Sequence, residues 1–242
     1  MIYPDWPAPE SIKAISTTRQ GGFSLPPYNE LNLGDHVGDN AETVGKNRDS
    51  LILQASLPEA PRWLKQVHGT TVSFASSWQQ GDEADAIISS HPNQVCAIMT
   101  ADCLPILLCN QAGDQVAAIH AGWRSLAAGI IEKTVSHFDC PTHEIMAWLG
   151  PAIGPSQFEV GNDVFHAFTS HSSDAAIALQ QIDPKHYLAD IYLLAKQRLN
   201  DLDIHAIYGG ERCTVSEPAH FFSYRRDGIT GRMASMIWIA PK

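Results

Sequence analysis

Positive charge is scarce in this 242-residue chain: 16 Lys and Arg stand against 26 Asp and Glu, a net charge of −10 at pH 7. No basic run is long enough to neutralise a line of phosphates. That excludes an electrostatic nucleic-acid binder and leaves room for a local basic pocket around a small anion. Long apolar stretches are absent too; none approaches the roughly 20 residues that span a bilayer, so no membrane association is expected. Met1-Ile-Tyr-Pro-Asp-Trp6 has neither the basic nor the apolar segment of a signal peptide. Cysteines number five, an odd count with no Cys-x-x-Cys pair, and no His-x-x-x-His pair accompanies them. The expectation is a reducing, cytoplasmic compartment with free thiols and no four-ligand structural zinc. No repeat and no low-complexity linker divides the chain. With 44% hydrophobic and 17% charged residues, residues 1–242 read as a single compact domain.

What is present is a series of short apolar segments. Residues 11–18 alternate as a strand and lead into a glycine-containing loop, Arg19-Gln-Gly-Gly-Phe-Ser24, with Arg19 at its edge. Asn40 reads as the N-cap of a helix over 41–53, with Glu42 in its first turn. Residues 62–68 read as a strand ending at His68, and Gly81-Asp-Glu-Ala-Asp-Ala86 as an acidic turn before strands at 86–89 and 95–100. A helix is expected over 125–138, a strand over 144–149, then a loop rich in Gly and Pro over 150–161. Asn162 or Asp163 would cap a helix over 164–169. The segment 171–181 reads as mobile, 187–199 as an amphipathic helix, and 204–208 and 233–239 as strands. Helices and strands do not alternate as uniform βα units. The expected class is α/β, with mixed β-sheets flanked by helices in a layered arrangement.

One hairpin carries the chemistry. Strands at 105–109 and 115–120 are joined by Asn110-Gln-Ala-Gly-Asp114, whose residue types suit a tight turn. That hairpin sets Cys103, just before its first strand, beside His120, at the end of its second. Three ligand-type residues, His68, Cys103 and His120, then stand at strand ends, the number a catalytic zinc takes while keeping one position open. Spacing leaves a second reading equally open, a thiol enzyme with Cys103 as nucleophile and His120 as base. Asp102 points away from Cys103 in an extended strand and is at most an outer partner. The chain enters a helix directly after His120, so its backbone N–H groups, with Arg124 and Ser125, would make an anion site. Arg225 and Arg226, in the densest basic cluster, are the rival phosphate contacts, and Arg19 could complete either.

Lys65-Gln-Val-His-Gly69, Thr100-Ala-Asp-Cys-Leu-Pro-Ile106, Ile119-His-Ala-Gly-Trp-Arg124 and Gly150-Pro-Ala-Ile-Gly154 resemble the signatures of the YfiH family. That family is also labelled laccase-domain, polyphenol oxidase or peptidoglycan editing factor. The resemblance runs from Ser16 to Arg226, nearly the whole chain. It implies a layered α/β fold and a metal held by His68, Cys103 and His120: zinc, with copper as an alternative occupant. It also implies phosphorolysis of adenosine, inosine and methylthioadenosine and deamination of adenosine, so a nucleoside and phosphate as small-molecule partners. Laccase chemistry sits poorly with the residues, because none of the eleven histidines forms the His-x-His pair that multi-copper centres use. Two further readings stay open. One is a thiol hydrolase or deamidase, supported by a fold-level resemblance to deamidase domains of bacterial toxins. The other is hydrolytic editing of peptidoglycan precursors. Oligomeric state is not readable.

Overall fold

Most strands of this chain are apolar on both faces, and such strands must be covered on both sides. That requirement builds the molecule. The computed structural model describes residues 1–241. Its elements run β1 (Ile12–Ser16), α1 (Ala41–Gln54), β2 (Val72–Phe74), β3 (Ala86–Ser89), β4 (Cys96–Thr100), β5 (Leu104–Asn110), β6 (Val116–Ala121), α2 (Trp123–Ala127) and α3 (Ile130–Val135). They continue with β7 (Ile145–Leu149), β8 (Glu159–Gly161), α4 (Asn162–Thr169), β9 (Leu179–Gln181), β10 (His186–Ala189), α5 (Ile191–Asp201), β11 (Ala206–Gly209), α6 (Tyr224–Asp227) and β12 (Met233–Ile239).

A six-stranded sheet has the order β11-β7-β5-β6-β3-β2, antiparallel at its centre and parallel at its two outer pairs. One face, with Ile88, Leu104, Ile106, Leu108, Ile119 and Leu149, packs on Leu126, Ile130 and Ile131 of α2 and α3 and on Ile191, Leu194 and Leu199 of α5. The opposite face, with Ile87, Leu107, Ala118 and Trp148, meets Ile98 and Ile237 of a three-stranded antiparallel sheet, β1-β12-β4. That sheet turns Ile15, Ala97, Met236 and Trp238 outward, where Leu51 of α1 covers them. The result is four layers, helix–sheet–sheet–helix, and the mixed α/β class expected from the sequence. A small sheet, β8-β10-β9, closes one end. Fully burying one Leu or Ile contributes about 1.5–3 kcal/mol. The two apolar interfaces of the central sheet therefore hold most of the fold.

Several local expectations are corrected. Residues 62–68 make only isolated bridges, Arg62 to Cys96 and Lys65 to Glu83. Gln66 takes a strand partner's place: its side chain donates to the Met99 carbonyl at 2.8 Å and accepts the Met99 N–H at 2.7 Å. The helix expected over 125–138 is two, broken at Gly129 with φ +91°. There Arg198 takes the Ala127 carbonyl, closing the end of α2 with a side chain. Residues 186–189 are strand β10 rather than helix, because they pair with both β8 and β9. The helix begins only after Asp190, whose carboxylate caps Leu193 N–H at 3.0 Å. Gly161, not Asn162 or Asp163, is the N-cap of α4. The segment 171–181 is ordered as a 3-10 turn, Ser173–Ala178, and strand β9, with Ala175, Ala178 and Leu179 buried.

Candidate active site

The site lies where the chain crosses from one sheet to the other. β4 belongs to the three-stranded sheet and β5 to the six-stranded sheet, and Ala101-Asp102-Cys103 makes the crossing between them. Asp102 takes φ +97° to turn it, a left-handed conformation that costs a non-glycine residue roughly 1–3 kcal/mol. β5 and β6 then pair with Leu104 opposite Ala121 and Pro105 opposite His120. That register leaves Cys103 just past the ladder, beside the His120 ring. His68 arrives from the loop before β2, at φ +59°. One donor atom each from His68, Cys103 and His120 lies within 4.8 Å of the others, the one such trio of His, Cys, Asp or Glu among the described residues. Cys103 Sγ and His68 Nε2 are 3.8 Å apart.

Asp85 orients the His120 ring and pins the backbone of the His68 loop, and the only sequence signal for it is a carboxylate at the foot of an apolar strand. It is fully buried. One oxygen accepts from His120 Nδ1 at 2.8 Å and from His68 N–H at 2.9 Å; the other accepts from Gly69 N–H at 2.6 Å. The Asp85 carbonyl also accepts His120 N–H at 2.7 Å. With Nδ1 engaged, the Nε2 lone pair of His120 is left for a ligand. Burial raises the Asp85 carboxyl, but His120 and the loop amides outweigh it and hold the group below the usual carboxylate range. Burial likewise raises the Cys103 thiol and lowers His120, yet in each the mutual charge and hydrogen bonds win. Cys103 is drawn down toward thiolate and His120 up toward imidazolium.

The donor set fits a metal, and so does the space around it. A Cβ built on Gly122 would stand 2.8 Å from His68 Cδ2 and 3.2 Å from Cys103 Sγ, so glycine is what keeps the trio open on that side. Two imidazoles, one thiolate and an outer carboxylate make a donor set that suits zinc and also takes copper.

Beside the trio is a cleft of about 290 Å³, near the lower end of small-molecule pockets. Trp123, Ile153, Phe158 and Ile191 form its apolar wall, and Arg124 and Arg225 bring two guanidinium groups. Arg124 is exposed and lies over the Trp123 ring at 4.3 Å. Arg225 donates to the Glu159 carbonyl at 3.0 Å. The two arginines that were rivals on sequence grounds thus share one cleft, whereas Arg226 and Arg19 do not line it. Arg226 spends its donors on the carbonyls of Thr214, Val215 and Phe221 and on Asp227. Arg19 bonds the carbonyls of Asn29 and Pro218 and lies over Phe222, away from the trio. Ser125 is buried with no partner for its Oγ among the described residues, and it too is outside the lining. α2 has only five residues, so its start adds little dipole, and the cleft's positive charge comes from the two arginines.

Fold and site together define a four-layer α/β protein with one His–Cys–His corner, buried at His120 and open at His68, beside a cleft that carries two arginines. Residues 13–240 match the family described as multi-copper polyphenol oxidoreductase laccase, and the chain belongs to that family. It is similar to the Escherichia coli K12 protein named purine nucleoside phosphorylase YfiH, 53% identical over 240 residues, covering 99% of this chain and 98% of that one. A Haemophilus influenzae protein named purine nucleoside phosphorylase is 50% identical over 239 residues, covering 98% of each. The crystal structure of a Neisseria meningitidis protein, 48% identical, superposes with a TM-score of 0.96 over 99% of both chains.

Proposed function

We propose that the chain is a metal-dependent purine nucleoside enzyme that phosphorolyses adenosine, inosine and methylthioadenosine and deaminates adenosine. The observation that carries this reading is the single cleft in which the His68–Cys103 edge of the trio, two arginines and an apolar wall all meet. The names of its relatives point the same way. Bound by His68, Cys103 and His120, zinc would supply Lewis-acid charge and one open coordination position. Arg124 and Arg225 hold phosphate as a dianion by charge-assisted hydrogen bonds. Trp123 and Phe158 cover the flat purine and keep water from the ribose. In phosphorolysis a phosphate oxygen attacks the anomeric carbon, the bond to the base breaks, and the base leaves with that electron pair and takes up a proton. In deamination water adds at the amino-bearing ring carbon and ammonia departs.

The test is adenosine turnover with and without phosphate. Adenine release is expected to need phosphate, to accept arsenate in its place and to vanish without either, while inosine formation persists in phosphate-free buffer and is lost on metal removal. Arg124→Ala should raise the phosphate KM by about tenfold or more, the worth of one charge-assisted contact. Equal adenine release without phosphate would make the protein a hydrolase.

One observation favours a second reading: Cys103, His120 and Asp85 are ordered as a thiol–imidazole–carboxylate relay, which a thiol hydrolase uses. His68 supports the metal reading over it. A relay has no use for a second imidazole 3.8 Å from the sulfur, whereas a metal corner requires one.

A further inference from the structure

Asp102 sits at the centre of an arrangement that neither the trio nor the cleft by itself explains. Its carboxylate is buried and does not face the metal-type corner. One oxygen accepts the Thr214 hydroxyl at 2.6 Å, and the other accepts the backbone N–H of Arg225 at 2.6 Å, from a residue 123 positions away. Its carbonyl accepts Ile153 N–H at 2.9 Å, which anchors a third stretch of the cleft wall. Arg225 lies on α6, a helix of four residues that cannot hold its own place. The Ser223 cap fixes the turn of α6, and Arg226 ties it to Thr214, Val215 and Phe221. Asp102 adds the tie that runs straight to the corner, since it is covalently next to Cys103 and bonded to the Arg225 backbone.

We infer that Asp102 is a positioning residue for anion binding, setting the Arg225 guanidinium against the cleft through the backbone of α6 while leaving the His68–Cys103–His120 corner unaffected. The inference rests on the phosphate role proposed for Arg225. An acid here occupies a left-handed position that glycine would take more easily. The backbone there favours Gly, so the carboxylate is present for its two partners.

That same backbone supplies the test. Asp102→Gly relieves the φ +97° conformation, which offsets part of the cost of the two lost hydrogen bonds, so the protein should still fold yet lose its hold on α6. The expected result is a phosphate KM raised about tenfold, with zinc content and nucleoside KM unchanged and kcat at saturating phosphate largely kept. Asp102→Asn should restore wild-type behaviour. Its carbonyl oxygen can accept Arg225 N–H while its NH2 donates to Thr214, whose hydroxyl turns to accept. In a Thr214→Val background that rescue should fail, because the NH2 then has no acceptor.

Direct titration of the zinc-loaded protein with inorganic phosphate by calorimetry separates this inference from the reading beneath it. Wild type binding phosphate and Asp102→Gly binding it equally well overturns the positioning role alone. Wild type that binds no phosphate overturns both. Tenfold weaker binding by Asp102→Gly supports the positioning role even if no nucleoside is turned over.

Discussion

Replacing Asp85 by Asn is the sharpest test of how the trio is held. The change keeps the shape of the side chain and removes one of two acceptor oxygens. In the wild type those oxygens receive His120 Nδ1–H and His68 N–H on one side and Gly69 N–H on the other. Asn can offer its carbonyl to only one side, and its NH2 then faces donors on the other. With NH2 toward His120, the imidazole must switch tautomer, accepting at Nδ1 and carrying its proton on Nε2, where no metal can bind. With the opposite orientation the half-buried Gly69 amide loses its acceptor and the His68 loop loosens. Either way the loss should match that of other outer carboxylates on metal-binding histidines, about 10- to 100-fold in affinity, or about 1.4–2.7 kcal/mol. Competition with a chromophoric chelator measures it, and circular dichroism confirms the fold. Stability carries a second signature. The native carboxyl is held low, so its contribution is complete above about pH 4 and lost as pH falls through the native value. The stability gap between wild type and Asp85→Asn should therefore close on acidification. Wild-type zinc affinity in Asp85→Asn would refute this account of the site.

Two further outcomes follow from the thiols and from Gly122. In metal-free protein at neutral pH, iodoacetamide should label Cys103 and spare Cys96 and Cys109, whose thiols burial pushes up to about 12; peptide mass spectrometry reads this, and prior zinc loading should protect Cys103. Gly122→Ala places a methyl 2.8 Å from His68 Cδ2, so it should abolish metal uptake by elemental analysis while the melting temperature stays near wild type.

The Cys103–His120 pair was legible in the sequence because its geometry is local: a hairpin with a short connection puts the residue before its first strand beside the end of its second. His68, 35 positions before Cys103 and on a loop instead of the expected strand, was legible only by residue type. Asp85 was not legible, since an acid in an acidic turn is ordinarily solvated and only the packing of β3 against β6 buries this one. The four-layer order follows from strands apolar on both faces, but the identity of their covers does not. Where apolar spacing failed, tertiary pairing overrode it: Tyr187 fits a helical face equally well and is claimed by β8 and β9. Arg225 and Arg226 could not be separated by composition. Adjacent residues on one short turn project in different directions, and the turn's placement comes from Asp102, far away in sequence.

The same geometry bears on the family's oxidase description. Oxidising a phenol through several coppers needs several donor clusters, and the described residues bring together one, with three donors. Copper can enter that trio by affinity alone, so copper content says little about the reaction. The cleft is more informative. A chain of net charge −10 repels anions at long range, but salt screens exposed charges beyond about 8 Å, so under the proposed reading the local pair Arg124 and Arg225 would set anion affinity. A phenol is a neutral or singly charged aromatic and has no need of two guanidinium groups. A nucleoside beside phosphate accounts for the guanidinium pair, the apolar wall and the open corner with one set of partners.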